Sequence, residues 1–271
     1  AMNPYLPIAL ITFKEGIRNR AFYGISLLAL LMMGAAFFIS GMVMRDVEKI
    51  AVDMALSTVS FAGLLLVLFV GIDLMSKDLD KRTIYMVLAR PISRQQYILG
   101  KYFGISLLIV TTVFVLSFFG AISISLIKWV NPGYFPRFSW WPVILAEAFI
   151  ALSLMLLSAM AILFASFSST SFITLVLTII AYIIGHSTST VKGIVESPET
   201  AGITVSPITV KLVQAAYYIF PNLAFFDIKT QAAHGLAIPP AYLFWTLFYG
   251  VVYICLVTAL AAKIFRKKEF P

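Results

Sequence analysis

Few polar residues in this chain are of types that could carry out chemistry, and their spacing matches no catalytic motif. The two histidines, His186 and His234, do not form the H-E-x-x-H pair of a metalloprotease helix. A metal site would need carboxylates from Glu196, Glu199 or Asp227, which stand at no recognisable spacing. Neither a G-x-S-x-G nucleophile elbow nor a G-x-x-x-x-G-K-S/T phosphate loop occurs. We therefore expect no catalytic residue, no bound metal or cofactor, and no enzymatic activity of the chain by itself.

Two carboxylates lie inside apolar stretches, where a charge is costly. Asp73 has Lys77 at the i,i+4 position. An ion pair between them is the favoured interpretation, ahead of a place on a substrate path. Glu147 either lines such a path or pairs with Lys128 or Arg137, and the sequence favours neither alternative.

The composition is that of a membrane protein. With 61% hydrophobic and only 12% charged residues, the 271-residue chain is too apolar for a soluble domain. The formal net charge is +8, and the basic residues concentrate beside apolar runs, at 14–20, 77–101 and 263–268. This placement is typical of the cytoplasmic ends of membrane spans, and not of nucleic-acid binding. The single cysteine, Cys255, excludes a disulfide framework within the chain.

Apolar runs predict six membrane spans, since about 20 apolar residues cross a bilayer as a helix. The runs are 21–44, 55–75, 102–127, 143–167, 172–185 and 242–262. Six spans place both termini on one side, and all three basic clusters then fall in the cytoplasm. The predicted fold is an all-α polytopic membrane protein that forms a single transmembrane domain over residues 1–271.

Residues 1–20 predict an amphipathic helix before the first span. Leu6, Leu10, Phe13 and Ile17 recur at helical spacing, with charged residues off that stripe. We expect this helix to lie in the cytoplasmic membrane interface, with its apolar stripe buried there. The alternative is a solvated helix packed on another protein surface.

The long outer loop, 186–241, contains a second short helix. Ser206 and Pro207 form a helix start, as N-cap and first helical residue, and Pro221 stops the helix. The helix is too short to cross a bilayer, so it either lies on the outer surface or re-enters the membrane partway.

The segment 76–101 between the second and third spans predicts a short cytoplasmic helix followed by a corner. Ile84 and Leu88 belong to an apolar stripe at helical spacing, and Asp78 or Asp80 can cap the start of the helix. Pro91 then ends the helix, because proline disfavours the helical conformation of the residue before it.

A second helix begins immediately after this corner and runs into the third span. Ser93 and Gln96 form an S-x-x-Q capping box, with Ile92 and Tyr97 at the positions of a hydrophobic staple. A slack linker would need neither the stripe nor the box. We therefore predict that segment 76–101 is rigid and that a cytoplasmic partner exerts force on it.

This arrangement resembles the membrane permeases of ABC-2-type transporters. Residues 80–85, 88–94 and 99–101 are similar to the coupling segment of that family, and residues 220–227 are similar to its branch of multicopper-enzyme-maturation permeases. The resemblance implies a single permease domain of the following parts: interfacial helix 1–20, spans 21–75, coupling segment 76–101, spans 102–185, outer loop 186–241, and the last span with its basic tail 242–271.

The resemblance also implies partners. Two permease copies, identical in a homodimer, would each dock on a cytoplasmic ATPase subunit, which binds ATP and Mg²⁺, in a bacterial or archaeal plasma membrane. The residues that would couple to the ATPase are Asp78, Asp80, Lys81, Arg82, Thr83, Ile84, Leu88, Pro91, Ser93 and Arg94. Membrane lipids are further expected partners.

Two functions remain open on this basis. In the first, the complex exports a hydrophobic or amphipathic substrate between the paired fifth and second spans, which the scarcity of membrane charges favours. In the second, the permease transmits force to a periplasmic accessory protein without conventional transport. The long aromatic outer loop would suit that role.

Overall fold

The computed structural model describes residues 5–42, 46–75, 93–135, 138–168, 170–196, 210, 211, 215, 217 and 219–267, and this part of the chain contains helices and no strand. The α-helices are α1 (Tyr5–Ile17), α2 (Arg20–Met42), α3 (Val47–Leu65), α4 (Arg94–Val130), α5 (Trp140–Phe167), α6 (Ser171–Glu196), α7 (Lys229–Ala233) and α8 (Pro240–Lys267). A π-helix (Leu66–Gly71) continues α3, and 3-10 helices form at Pro132–Tyr134 and Leu223–Phe226.

The predicted class, an all-α polytopic membrane protein, is confirmed. Within the described residues five helices are long and apolar enough to cross a membrane, and α6 adds a shorter apolar stretch, Ser171–Ser187. The helices run past the apolar runs of the sequence: α4 begins at Arg94 and α6 continues to Glu196. An apolar run reflects the thickness of the hydrocarbon core, whereas backbone hydrogen bonding continues into the interface.

The core of the bundle is built around α5, which contacts α3, α4, α6 and α8. In the most apolar part of each span, the fraction of residues that is buried is 72% for α5 and 67% for the second span, Val47–Met75. It is only 22% for α2 and for α8. The helices α2 and α8 therefore lie at the edge of the bundle and turn apolar faces outwards.

A π-helix interrupts the second span between Leu66 and Gly71. Val67 and Val70 on this stretch are fully buried. Wide turns of this kind insert an extra residue into a helix and frequently mark functional sites. The helix then continues from Ile72 to Met75, which is the last described residue before Ser93.

The interfacial helix α1 packs on the start of α4 through its small residues and not through the predicted stripe. Ala9, Thr12 and Gly16 are buried, together with Ile8, whereas Leu6 is 62% exposed. The predicted stripe divides, because Phe13 and Ile17 pack against the core while Leu6 and Leu10 remain outside.

Close approach between α1 and α4 depends on two glycines one helical turn apart, Gly100 and Gly104. A Cβ atom at Gly104 would stand 2.7 Å from the carbonyl oxygen of Ala9, and one at Gly100 would stand 2.7 Å from the Cβ of Ile8. Small residues at this spacing allow helices to pack closely in membranes. The α1 helix is thus fixed to the bundle and still offers Leu6 and Leu10 to lipid.

We expect Gly104→Ala to destabilise the protein by about 1–3 kcal/mol, because the new methyl group meets backbone and cannot be accommodated by a rotamer change. The measurement is the midpoint of thermal unfolding in detergent. The matched control is Gly34→Ala in α2, where an added Cβ meets nothing within 4 Å. Equal midpoints for the two variants would contradict the close packing of α1 on α4.

Candidate functional site

Polar contacts concentrate at two places on opposite sides of the bundle. We call the first the inner junction. It consists of residues 93–101, of Leu74 at the end of the second span, and of residues 265–266 near the end of α8. The second, the outer segment, comprises residues 219–233. The helix α8 reaches both.

The predicted capping box is present at the inner junction. Ser93 has an extended backbone, and its Oγ accepts a hydrogen bond of 3.2 Å from the backbone N–H of Gln96. The Gln96 Oε1 accepts one of 2.9 Å from the backbone N–H of Ser93. Two otherwise unpaired donors of the first turn are thereby satisfied, and the direction of α4 is fixed at its first residue.

The start of α4 is fastened to the end of α8. The Arg94 Nη1 donates a 3.2 Å hydrogen bond to the carbonyl of Arg266, a group without an onward helical donor. Beneath it, the rings of Tyr97 and Phe265 stack with centroids 5.9 Å apart and planes inclined by 20°. Both rings are almost fully buried. The two helix ends therefore move together.

A buried lysine ties the second span to the third. The Lys101 side chain is only 5% exposed, and its Nζ donates a 2.8 Å hydrogen bond to the carbonyl of Leu74. The same ammonium lies 5.7 Å from the ring centroid of Tyr97. Sequence reasoning counted Lys101 only as part of a basic cluster. Its position directly before the apolar run that begins at residue 102 was the only signal that it could be buried and have a partner.

Of the residues predicted to couple to an ATPase, Ser93 and Arg94 are at the inner junction. The others lie outside the described residues: Asp78, Asp80, Lys81, Arg82, Thr83, Ile84, Leu88 and Pro91.

Asp73 is bonded to the corner between α1 and α2. The Asn19 Nδ2 donates a 3.0 Å hydrogen bond to Asp73 Oδ2, and Asn19 Oδ1 accepts 2.9 Å from the backbone N–H of Ala21. The favoured partner in the sequence analysis, Lys77, lies outside the described residues. Asn19 therefore caps the first span and at the same time connects it to the second.

Glu147 is half-buried on α5 and faces the hydroxyl of Ser117 on α4, without reaching hydrogen-bond geometry. Lys128, one of its two predicted partners, instead lies over the ring of Phe138 at 5.1 Å from the centroid. Arg137 is outside the described residues. The predicted ion pair between Glu147 and Lys128 is therefore not formed.

Three tyrosines of α8 bond to the backbone of the outer segment. The Tyr242 hydroxyl donates 2.7 Å to the carbonyl of Phe225, and the Tyr253 hydroxyl donates 2.8 Å to the carbonyl of Ile219. Between them, the Tyr249 hydroxyl accepts 3.0 Å from the backbone N–H of a buried asparagine, Asn222. The interval from Tyr242 to Tyr253 covers about 16 Å along the helix axis.

The outer segment also packs closely on α6. A Cβ atom at Gly185 would stand 2.8 Å from the carbonyl oxygen of Pro221. The Asn222 Oδ1 accepts a 3.1 Å bond from the backbone N–H of Ala224, which caps the short 3-10 helix. Irregular backbone is tolerated inside a membrane only where protein surrounds it.

A small polar cavity lies between the outer segment and the spans. Its volume is about 20 Å³, and its polar lining comes from Ser60, Ser153, His186, Asp227 and Lys229. The carboxylate of Asp227 is 3.5 Å from the ammonium of Lys229. Such a cavity holds about one water molecule, so no organic substrate passes here in this conformation.

Of the candidate metal ligands, His186, His234 and Asp227 have described side chains, whereas Glu199 and the side chain of Glu196 lie outside the described part of the chain. His186 and Asp227 share the small cavity, but His234 is exposed and bonded to the carbonyl of Thr230. Among the described residues, no group of three His, Cys, Asp or Glu side chains could hold a metal ion.

Comparison with known families gives one match. The family model described as ABC-2 family transporter protein matches residues 6–270, almost the whole chain. Among curated proteins, none matches. The match covers the inner junction, the outer segment and every span between them.

We expect Tyr253→Phe to lower the stability of the protein by about 1 kcal/mol, because the carbonyl of Ile219 loses its hydrogen-bond donor. Thermal unfolding in detergent measures the effect. The control is Tyr23→Phe on α2, whose ring is 58% exposed. If both variants unfold at the wild-type midpoint, the tyrosine bonds do not hold the outer segment.

Proposed function

Because the chain belongs to the ABC-2 family of transporter proteins, and is thus the membrane subunit of an ABC transporter, we propose that it couples ATP hydrolysis by a separate cytoplasmic ATPase to the export of a hydrophobic or amphipathic substrate. ATP and Mg²⁺ are bound by the ATPase, and this chain acts as its mechanical partner. The inner junction is the observation that carries the proposal.

The inner junction can transmit a force applied by the ATPase to several spans. Residues 76–92 connect the end of the second span to Ser93, and Lys101 holds those two helix ends together through the carbonyl of Leu74. Arg94 and Tyr97 extend the connection to α8. Force applied to residues 76–92 would therefore reach three spans through the hydrogen bonds of Lys101 and Arg94 and the buried stack of Tyr97 on Phe265.

We assign the ATPase contact to the segment from Asp78 to Leu88, with Pro91 and Ser93 setting the angle of the corner. Lys81, Arg82 and Arg94 suit an acidic rim on the ATPase, and Ile84 and Leu88 suit an apolar groove. The remaining members of the contact are Asp80 and Thr83. Two ATPase subunits and two copies of this chain complete the complex, with both termini in the cytoplasm of a bacterial or archaeal cell.

The proposed substrate path runs between two copies of the chain, along α3 and α6. These helices touch each other, since Leu68 and Ile72 of the second span pack against Leu175 and Ile179. Beside this contact they expose a continuous apolar face: Phe61, Phe69, Ile173, Val176, Ile180 and Ile183. The polar cavity within one copy is too small for an organic substrate, which leaves the face between copies as the route.

A second candidate function is supported by α8, which is fastened at both ends. Phe265 and Arg266 belong to the inner junction, while Tyr242, Tyr249 and Tyr253 hold the outer segment. A movement started by the ATPase would thus reach the outer surface without any substrate. A periplasmic partner protein, of the kind expected for a metalloenzyme-maturation permease, would receive that movement.

The coupling proposal predicts that Arg82→Glu combined with Leu88→Asp abolishes binding to the ATPase, because both the charge and the apolar contact are reversed. The chain is co-expressed with candidate ATPase subunits from the same genome, and copurification and ATP hydrolysis are measured. The matched control is Lys49→Glu with Leu236→Asp, which makes the same types of change at exposed positions on the other side of the membrane.

Two results would contradict coupling through this segment: no ATPase copurifies with the wild type, or the double variant binds as well as the control does. With a working complex in hand, stimulation of ATP hydrolysis by free amphiphiles supports export. A stably copurifying outer protein, without such stimulation, supports force transmission.

The substrate path predicts that α6 faces its counterpart in a second copy. In a Cys255→Ser background, Ile180→Cys should form a disulfide-linked dimer when membranes are oxidised. Phe118→Cys on α4, an apolar position that is 60% exposed against 43% for Ile180, should remain monomeric. Dimers at Phe118→Cys and none at Ile180→Cys would place the second copy on another face.

A further inference from the structure

A wide groove lies where the interfacial helix α1 turns into α2, on the side of the membrane that carries the inner junction. Its volume is about 630 Å³, and it is lined by Ile11, Lys14, Glu15, Arg18, Asn19, Arg20 and Asp73. This groove is about thirty times larger than the polar cavity of about 20 Å³ near the outer segment. It lies beside Arg20, the first residue of α2.

The electrostatics of the groove favour an anion. Lys14, Arg18 and Arg20 are exposed, and within the described residues none of their side chains has an acidic partner. The same lining carries two carboxylates, Glu15 and Asp73, of which Asp73 accepts a hydrogen bond from Asn19. Three cations against two carboxylates leave the lining with a net formal charge of +1.

Ile11, the one apolar residue of the lining, is 63% exposed. Tyr23 and Leu27 follow Arg20 at helical spacing on α2 and are 58% and 60% exposed. A soluble anion would gain nothing from these side chains. A molecule with an anionic head and hydrocarbon tails would match both parts of the groove.

The corner that forms the floor is rigid before any ligand arrives. The backbone N–H of Asn19 donates to the carbonyl of Gly16 at 3.2 Å, and that of Arg18 donates to Lys14 at 3.2 Å. The side chain of Asn19 then joins α2 to Asp73 on the second span. Binding therefore requires little ordering of the backbone, which favours affinity.

We propose that this groove binds the headgroup of an anionic glycerophospholipid from the leaflet on the side of the termini. The phosphate lies among Lys14, Arg18 and Arg20, and the acyl chains follow Ile11, Tyr23 and Leu27. The proposal depends on the membrane topology, and not on the identity of the ATPase or of the substrate. A bound lipid would brace the corner between α1 and α2 against the end of the second span, where Asp73 is attached.

The test is a titration of the purified full-length chain in neutral detergent, with bound lipids counted by native mass spectrometry. The probes are dioleoylphosphatidylglycerol and dioleoylphosphatidylcholine, which share their acyl chains and differ in net charge. The double variant Arg18→Gln/Arg20→Gln removes two cations of the groove. Its matched control, Lys263→Gln/Arg266→Gln, removes two exposed cations on the same side of the membrane but outside the groove.

For the wild type we expect one phosphatidylglycerol to bind at least tenfold more tightly than phosphatidylcholine. The groove variant should bind it roughly 30-fold more weakly, as two basic side chains at a membrane surface would contribute. The control should stay within about twofold of the wild type. Arg18→Lys/Arg20→Lys, which keeps the charge, should retain most of the affinity and shows that a loss in the Gln variant is not a failure to fold.

Three results would overturn the proposal. Equal binding of the two lipids would remove the headgroup preference, and an equal loss in the control would reduce it to the overall charge of this side. Displacement of the lipid by inorganic phosphate at the same concentration would identify a site for a soluble anion instead of a lipid.

Discussion

The whole architecture depends on one constraint: inside a membrane, a backbone polar group that leaves a helix must find its partner within the protein. The carbonyls of Leu74, Arg266, Ile219 and Phe225 all stand at helix ends or in irregular backbone. Each is satisfied by a side chain from another element, namely Lys101, Arg94, Tyr253 and Tyr242 respectively. The same bonds that remove a desolvation cost thereby connect helices that are distant in the sequence.

This constraint explains why α8 occupies a special place although it lies at the edge of the bundle. Its inner end supplies a carbonyl and an aromatic ring to the start of α4, and its outer half supplies three hydroxyls to the backbone of the outer segment. A helix with few buried residues is thus the element through which the two polar regions communicate. Both proposed functions make use of that connection.

Local signals in the sequence predicted the helices and the capping box, because Ser93 and Gln96 satisfy each other within one turn. Contacts across the bundle could not be predicted in this way, since nothing near Lys101 or Tyr253 in the sequence identifies Leu74 or Ile219. The face by which α1 packs on α4 was not predicted either. The apolar stripe predicts contact with the membrane interface, whereas the close contact within the protein is made by small residues, such as Ala9 and Gly16.

The π-helix of the second span has a geometric consequence for the face that α3 turns outwards. Twelve residues separate Phe61 from Asp73, and in an unbroken α-helix that interval leaves the two side chains about 120° out of phase. One residue absorbed in the wide turn at Leu66–Gly71 reduces the difference to about 20°. Phe61, Phe69 and Asp73, all exposed, therefore form a single line along the helix. The side chain bonded to Asn19 and the aromatic side chains of Phe61 and Phe69 thus share one edge of the second span, although an unbroken α-helix would place Phe61 and Asp73 on different faces.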